Sequence, residues 1–245
     1  MIYLGGQHWL PPFSCKCFPK GVSVLNIFDI MGPVMVGPSS SHTAGAVRIG
    51  RVARHLLGSL PVKAEILFHG SFAATGAGHG TDKAIVAGLL DMEPDDIAIP
   101  RSFQLAQEAG VEVSIHPTEL RDAHPNTAVL NLTNKEGRVL SVSASSLGGG
   151  RIRINAIDGL EASFSGDYPT LIIRNEDKPG IVSEVSYALS LQNANIATMQ
   201  LYRDRRGGLA VMVIECDNPL PAEVREKLIA LDGVVRCTYL DLGGK

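Results

Sequence analysis

The chain has 245 residues, of which 45% are hydrophobic and 19% charged, and this composition excludes both a disordered and a collagen-like chain. Its 22 Lys and Arg against 25 Asp and Glu give a formal net charge of −3, and no basic cluster accompanies the few aromatic residues, which disfavours nucleic-acid binding. No apolar run approaches the roughly 18 residues that span a bilayer, and the N-terminus lacks the basic start of a secretory signal. We therefore expect a globular protein of the cytoplasm that does not bind membranes.

The four cysteines predict neither a disulfide framework nor a zinc site, because their spacing supplies no pair of C-x2-C motifs. We expect Cys216 and Cys237 to be reduced thiols with a structural role. Cys15 and Cys17 lie in a segment without periodic pattern, where a metal contact is the less favoured alternative.

Three regions follow one another along the chain. Residues 1–21 are punctuated by Gly and Pro and predict an irregular extension that is dispensable for folding. Residues 22–163 predict a mixed α/β layer domain. The turn-forming residues at 134–137 lie between two predicted strands and indicate a β-hairpin. The predicted elements of this domain are a helix (Ala44–Leu57), a strand (Val62–Phe68), a helix (Asp82–Leu90), a strand (Val111–Ile115), two hairpin strands (Ala128–Thr133 and Arg138–Ser143) and a final strand (Ile152–Ile157).

Turn-forming residues at 164–169 mark a boundary, and residues 169–245 predict a second domain. Its order, βαββαβ, is that of the ferredoxin-like split βαβ fold. The predicted elements are Thr170–Arg174, a helix beginning at Pro179, Ile196–Arg203, Leu209–Cys216, a helix at Ala222–Leu231, and Val234–Leu240. We expect one face of the first helix to pack on the sheet through Ile181, Val182, Val185, Ala188, Leu189 and Leu191.

The most unusual segment is a run of hydroxyl side chains with one histidine, directly before the first predicted helix: Ser39, Ser40, Ser41, His42 and Thr43. A hydroxyl-rich loop at a helix N-terminus offers N–H groups and a favourable dipole to an anion such as a substrate carboxylate. His42 is the group that exchanges a proton near neutral pH. The alternative is a serine-rich helix cap beside a surface histidine.

Two glycine-rich stretches accompany this segment. The first, Gly70–Asp82, contains Gly76, Gly78 and His79, but the third glycine and the acidic residue of a dinucleotide site are missing. A tight turn before a helix and a ligand-binding loop remain the other interpretations. The second, Ser145–Gly150, allows a ligand, a partner or another strand to approach the backbone closely.

These segments together resemble the β subunit of iron–sulfur-dependent L-serine dehydratase. The resemblance rests on Phe28–Pro33, Gly37–Thr43, Gly70–Asp82, His124–Thr127 and Ser146–Gly150, and it covers the chain from about residue 22 to its end. The first twenty or so residues depart from the family pattern.

The resemblance implies conversion of L-serine to pyruvate and ammonia without pyridoxal phosphate, with a four-iron, four-sulfur cluster as Lewis acid for the leaving hydroxyl. Such a cluster needs several cysteine thiolates, and this chain lacks a suitable set, so the resemblance places the cluster on a separate α subunit. His42 is then the candidate base, and Ser39, Ser40, Ser41 and Thr43 position the substrate. Further substrate- or partner-binding candidates are Gly76, Gly78, His79, His124, Asn126, Gly148 and Gly149.

The second domain resembles the ACT family of regulatory domains, through Asn175–Gly180 after its first strand and Asn195 before its second. The resemblance implies that a small amino acid binds at a subunit interface, with Asn175, Asp177, Gly180 and Asn195 as the candidate effector-binding residues. A sheet edge and an uncovered sheet face would let two copies form a homodimer. The alternative is a turn that only caps the helix.

Two other functions compete with the lyase. One is an amino-acid-sensing module without a catalytic role, which the hydroxyl-rich segment disfavours because a pure sensor has no use for it. The other is a hydrolase acting through Ser41 and His42, which is disfavoured because the sequence lacks the G-x-S-x-G elbow.

Overall fold

The computed structural model describes residues 40–74 and 80–242, which form two sheets with helices packed on them. The first sheet and its helices comprise α1 (Ser40–Leu57), β1 (Pro61–His69), α2 (Thr81–Leu89), a 3₁₀ turn (Ile99–Arg101), α3 (Ser102–Glu108), β2 (Glu112–Thr118), β3 (Thr127–Asn134), β4 (Val139–Gly148), β5 (Arg151–Ile157) and β6 (Leu160–Phe164). The second comprises β7 (Thr170–Glu176), α4 (Ile181–Ser190), β8 (Ile196–Arg203), β9 (Leu209–Cys216), α5 (Ala222–Ile229) and β10 (Val234–Leu240).

The first sheet has the strand order β2-β1-β3-β4-β5-β6, in which β1 and β2 are parallel and the other neighbours antiparallel. Alternate residues of β3 are fully buried, namely Ala128, Leu130 and Leu132, because successive side chains of a strand point to opposite faces. Helix α1 packs on β3, β4 and β5 and buries an apolar stripe that includes Val52 and Leu56.

Two glycines allow α1 and α2 to approach each other at backbone distance. A Cβ atom at Gly50 would lie 2.3 Å from the carbonyl oxygen of Ile85, and one at Gly88 would lie 2.0 Å from that of Val47. Both distances are far shorter than van der Waals contact, so only glycine fits at this crossing.

A charged link joins the end of α2 to α1. The Asp91 carboxylate accepts a hydrogen bond from Arg51 Nε at 3.3 Å and contacts His55 Nε2 at 3.1 Å. Burial acts to raise the pKa of Asp91, but the hydrogen bonds with His55 and Arg51 outweigh it, and the pKa lies below its ordinary value. The link therefore holds the carboxylate in its charged form.

All helices and strands predicted for the first sheet are present with shifted ends. Three elements of the structure were not predicted. The hairpin is confirmed, with Gly137 donating its N–H to the Asn134 carbonyl in the turn between β3 and β4. Helix α1 begins at Ser40, four residues before the predicted start at Ala44, because the hydroxyl residues form its first turn instead of a preceding loop. The elements missed are short: the 3₁₀ turn, α3 and β6.

The second sheet has the order β10-β7-β9-β8, all antiparallel, which confirms the predicted ferredoxin-like fold and the mixed α/β class. Helices α4 and α5 cover one face, over a core that contains Leu171, Ile173, Val185, Leu189, Met212, Ile214, Val224 and Leu228. Strands β7 and β9 are central and pair without interruption, whereas the edge strands β8 and β10 each pair with a register shift near their start.

Helix α4 differs from the prediction in its start and in its buried face. It begins at Ile181 with Gly180 as its N-cap, so Pro179 precedes the helix and does not occupy its first turn. Val182 and Leu191 were expected in the core, but 39% and 58% of their surface is exposed, because they lie off the stripe of residues buried on the sheet.

The opposite face of the second sheet is covered, and the expectation of an uncovered face was wrong. Ile172, Val211, Val213 and Leu240 belong to the same hydrophobic core as the first sheet and α1. Strand β6 packs against β8 and β9, and α1 against β10. The edge strand β8 pairs with β9 alone among the strands that the structure describes.

Within residues 40–74 and 80–242, no helix is both long and apolar enough to cross a membrane. The predicted extension at residues 1–21, with Cys15 and Cys17, lies outside the described residues.

Candidate functional site

The hydroxyl-rich motif forms the N-terminal turn of α1. The backbone of Ser40, Ser41 and His42 is helical and leads into Thr43, which is partly buried. Ser39 and the side chains of Ser40, Ser41 and His42 lie outside the described part of the structure. Because the first N–H groups of a helix have no partner within it, this turn supplies donors and a positive dipole end to an anion.

The topology of the first sheet brings the other motifs to one end of it. Strand β3 is antiparallel to both β1 and β4, so the end of β1, the start of β3 and the end of β4 are neighbours. Two backbone hydrogen bonds join the loops there: Ser71 N–H to the Pro125 carbonyl at 2.8 Å, and Ser146 N–H to the Asn126 carbonyl at 2.9 Å. Segments far apart in the sequence therefore form one surface.

Helix α1 presents its first turns to the β4–β5 turn at this same end. A Cβ atom at Gly45 would lie 2.3 Å from Ser146 Oγ, and Gly150 lies directly beside Ala44. Arg48 donates to the Gly150 carbonyl at 3.1 Å and forms an ion pair with Asp167 at 2.6 Å. The serine-rich turn of α1 and the glycine-rich turn after β4 are thus held side by side.

The β4–β5 turn has an unusual backbone, since Gly148, Gly149 and Gly150 all have φ between 62° and 86°. This left-handed region is open to glycine and strained for other residues. No described atom lies within 4 Å of the Cβ position at Gly148 or Gly149, so the turn leaves space above its backbone. Gly76, Gly78 and His79, which were expected to contribute from the neighbouring loop, lie outside the described residues.

A hydrogen-bonded network orients His124 and the start of β3. His124 Nδ1 accepts from the Asn126 N–H at 3.1 Å, which leaves the proton of a neutral ring on Nε2. Thr127 Oγ1 donates to the His124 carbonyl at 2.6 Å and contacts Ser145 Oγ at 2.8 Å. Asn155 Nδ2 also donates to Ser145 Oγ, at 2.8 Å. His124 and Asn126 are therefore placed on the surface that carries the other motifs.

Thr127 and Ser146 lie in motifs identified from the sequence, but neither was given a role in the site, and Asn155 was not singled out. Ser146 Oγ is buried and has no hydrogen-bond partner among the described residues, and it lies against the α1 backbone at Gly45. The available signal was the Ser145-Ser146 pair, which interrupts the alternation of apolar residues and serines at 140–144 and places two buried hydroxyls near the end of the strand.

The two described cysteines do not suit an iron–sulfur cluster. Cys216 and Cys237 are both buried in the second sheet. Burial raises the pKa of the Cys216 thiol and raises that of Cys237 to about 12, whereas cluster ligands are thiolates. The described residues also contain no group of three or more His, Cys, Asp or Glu placed to hold a metal ion.

The candidate effector residues lie at the two ends of the second sheet. Gly180 is the N-cap of α4, with a φ of 95°, no side chain capping the helix and only Glu184 Oε1, at 3.9 Å, near its Cβ position. The buried Asn175 donates through Nδ2 to the Glu176 carbonyl at 2.7 Å, while its Oδ1 has no partner among the described residues. This end of the sheet offers free helix N–H groups and one unused amide oxygen.

Asp177 and Asn195 are already engaged in the chain. The Asp177 carboxylate accepts from the Gly207 N–H at 3.0 Å and from Arg203 at 3.2 Å, and the Gly207 bond is the main cause of its lowered pKa. Asn195 donates to Asp217 beyond the end of β9. Because β7 and β8 both run antiparallel to β9, Asp177 and Asn195 lie at opposite ends of the sheet.

Comparison with known proteins decides the family. Residues 23–111 match the model of the serine dehydratase beta chain, and residues 169–233 match that of the ACT domain. The chain is 40% identical to the probable L-serine dehydratase, beta chain, of Bacillus subtilis, over 88% of this chain and 97% of that one. It belongs to the L-serine dehydratase beta chain family.

Two further members extend the comparison. The L-serine dehydratase, beta chain, of Peptoniphilus asaccharolyticus is 36% identical over 88% of this chain and 97% of its own length. The L-serine dehydratase of Mycobacterium tuberculosis is 33% identical over 59% of this chain but only 35% of its own length. Both resemblances inferred from the sequence, to the serine dehydratase β subunit and to the ACT domain, are confirmed.

Proposed function

We propose that this chain is the β subunit of a cytoplasmic L-serine dehydratase, which converts L-serine to pyruvate and ammonia together with an α subunit that holds a four-iron, four-sulfur cluster. The observation that carries the proposal is the convergence of the family's motifs. The first turn of α1, the loop at Pro125–Asn126 and the turn at Ser146–Gly150 form one surface in a chain that belongs to the serine dehydratase family.

Two observations support the inference that this chain holds only part of the active site. The match to the L-serine dehydratase of M. tuberculosis leaves about two thirds of that protein without a counterpart here, since it covers 35% of its length. The described cysteines are buried, neutral thiols, and they do not fit as cluster ligands. The β chain would therefore lend its surface to a site that the α subunit completes.

In that site the first turn of α1 would hold the substrate carboxylate. Its N–H groups and the hydroxyls of Ser39, Ser40, Ser41 and Thr43 would supply hydrogen bonds, and the helix dipole favours the negative charge. His42 would accept the Cα proton of serine as a general base while the Cβ hydroxyl departs. The resulting enamine is hydrolysed to pyruvate and ammonia, and no pyridoxal phosphate takes part.

The test is the kinetics of the reconstituted α and β chains with His42→Ala. Loss of a general base should lower kcat by about 100-fold or more, with a smaller effect on KM. His116→Ala is the matched control, because His116 lies exposed on the edge strand β2, and it should retain normal turnover. The β chain alone should neither bind iron nor dehydrate serine.

Turnover by the His42→Ala enzyme near that of wild type would return His42 to a helix-capping role. The sensing module is the rival function, and the α chain assayed alone separates the two. If the α chain dehydrates serine at the full rate without the β chain, the β chain contributes regulation alone through its ACT domain.

We also infer that a small amino acid binds between the ACT domains of two copies of the chain. Gly180 and Asn195 lie at opposite ends of one sheet, so a single ligand reaches both only if a second copy lies antiparallel along the edge strand β8. Three exposed apolar side chains support this edge as the contact: Val182 on α4, Leu191 directly after α4, and Leu201 on β8. The ligand carboxylate would lie at the N-terminus of α4.

Such a ligand should tighten self-association and raise thermal stability in proportion to its saturation. We would measure the sedimentation weight and the unfolding midpoint with and without L-serine. Asn195→Ala should remove both effects, whereas Gln107→Ala, an exposed amide on α3, should preserve them. If a panel of amino acids moves neither quantity in the wild type, the domain serves dimerisation only.

A further inference from the structure

A small cavity between the two sheets is lined by an excess of positive charge. Its volume is about 30 Å³, and its walls combine apolar side chains of both sheets with Arg138, Asp158, Arg174 and Arg236. Three guanidinium groups therefore face one carboxylate. The cavity lies far along the sheet from the motifs of the proposed active site, since it adjoins the C-terminal end of α1.

Two of these arginines have a buried donor that nothing in the described chain satisfies. The Nε atoms of Arg138 and Arg174 are both buried without a hydrogen-bond partner among the described residues. The remaining nitrogens of Arg138 are engaged, since they donate to the carbonyls of Leu56 and Leu57 at the end of α1. An unsatisfied buried donor is destabilising, and two beside one cavity indicate an occupant that accepts hydrogen bonds.

The register of the second sheet adds an independent observation. Arg174 on β7 and Arg236 on β10 are direct cross-strand neighbours, so their side chains share the face that lines the cavity. Like charges placed directly opposite each other destabilise a sheet unless a counter-charge lies nearby. Asp158 supplies one, through a bond of 3.0 Å from Arg174, but its other oxygen accepts from the Ser141 N–H.

The electrostatic environment of Arg138 agrees with this description. Burial is the main cause that lowers the pKa of Arg138, and the charge of Arg236 lowers it further, while Asp158 acts in the opposite direction. The guanidinium groups therefore repel one another across the cavity, and the single carboxylate only partly compensates.

We propose that this cavity binds one small monovalent anion of halide size, with chloride as the ion it would take in solution. The volume admits one or two atoms of water size and is too small for a phosphate or an organic acid. The anion would accept hydrogen bonds from the buried Nε atoms of Arg138 and Arg174 and neutralise the excess charge beside Arg236. Because these residues come from the turn before β4, from β7 and from β10, the ion would join the ACT domain to the first sheet.

The first measurement is the unfolding midpoint in potassium chloride against potassium gluconate at equal ionic strength, because gluconate exceeds the size of the cavity. At a chloride concentration of about 100 times the dissociation constant, the midpoint should rise by about 5 °C or more. Line broadening of the ³⁵Cl resonance measures binding directly. Anomalous diffraction from a crystal grown in bromide locates the ion.

Arg236→Gln is the informative variant, since Arg236 is exposed and its loss leaves the core intact. It should weaken chloride binding by about tenfold or more. Arg101→Gln, which removes the same charge from the exposed 3₁₀ turn, should bind chloride like the wild type. Equal midpoints in chloride and gluconate, equal broadening in Arg236→Gln and wild type, or a bromide crystal with no anomalous peak in the cavity would each overturn the proposal and leave water as the occupant.

Discussion

Replacing Gly88 with alanine should force apart the two helices on which the candidate active site depends. The added Cβ would lie 2.0 Å from the Val47 carbonyl oxygen, 2.8 Å from the Arg51 nitrogen and 2.9 Å from the Gly50 Cα. All three are backbone atoms of α1, so no side chain is able to rotate away. Overpacking costs about 1–3 kcal/mol, and a clash with backbone belongs at the upper end of that range.

The higher helix propensity of alanine offsets about 1 kcal/mol of this cost, which leaves a net loss of about 2 kcal/mol. For a chain of this size that loss lowers the unfolding midpoint by about 4–8 °C. Calorimetry or circular dichroism measures the midpoint, and the reconstituted enzyme should also lose activity because α1 carries the serine-rich turn.

Gly208→Ala is the matched control for this prediction. Its Cβ would lie as close as 2.2 Å to another atom, but the atoms it meets belong to the side chains of Asp204 and Arg205 in an exposed turn. Asp204 Oδ1 accepts hydrogen bonds from the N–H groups of Arg205 and Leu209, so moving it has a cost. The three atoms nearest to the added Cβ nevertheless all belong to side chains, so the loss of stability should be smaller than for Gly88→Ala. Equal stability of Gly88→Ala and wild type would refute the backbone contact between α1 and α2.

Three further results are expected. Gly45→Ala should destabilise the fold through contact with Ser146 Oγ at 2.3 Å, and adding Ser146→Gly should restore part of the loss in a double-mutant cycle of unfolding free energies; strict additivity would contradict the contact. The pKa of Asp91 is lower in the folded than in the unfolded chain, so the Asp91 carboxylate stabilises the fold above its ordinary pKa near 4, and this stabilisation is lost as the pH falls through the folded pKa. The difference in unfolding free energy between wild type and Asp91→Asn should therefore shrink in that acid range. A difference that stays constant with pH would contradict the role of Asp91. Because burial raises the pKa of Cys216 and that of Cys237 to about 12, a thiol reagent at pH 8 should modify two additional thiols only after denaturation, and full labelling of the native protein would show that these residues are accessible.

The sequence predicts the second sheet more closely than the first. Strands β8, β9 and β10 have the predicted bounds, because their apolar runs are separated by clear turn signals. In the first sheet β6 has only five residues, Leu160–Phe164, and too short a pattern to be distinguished from the turn that precedes it. The local hydrophobic pattern therefore predicts the bounds of an element when the element is long and turn-forming residues flank it.

The start of α1 shows why the candidate site was only partly predictable. Serine and threonine favour both a helix cap and its first turn, so composition alone does not fix whether Ser40 precedes or begins the helix. The contact between Gly45 and Ser146 joins residues about a hundred positions apart, and no local signal specifies it. The residue types of the motif segments predict that these segments belong to the site. That the segments lie together at one end of the first sheet depends on the strand order, which local sequence does not specify.

The sequence of β9 already indicates that both faces of the second sheet are covered. Strand β9 is apolar at nearly every position from Leu209 to Cys216, and seven of its eight residues are buried. A strand with one face in water alternates polar and apolar residues, so this continuous run indicates packing on both faces. The prediction of an uncovered face treated the ACT-like unit as if it stood alone.

That shared packing has a consequence for how the chain unfolds. Ile172, Val211, Val213 and Leu240 lie in the core of the first sheet, so melting the ACT domain alone would leave a large apolar surface in water. The two sheets should therefore lose their structure in a single cooperative transition, with amide protons of β4 and β9 exchanging through the same global opening. An amino acid that stabilises the ACT domain would then protect the serine-rich turn of α1 from unfolding to the same extent, without any movement of one domain against the other.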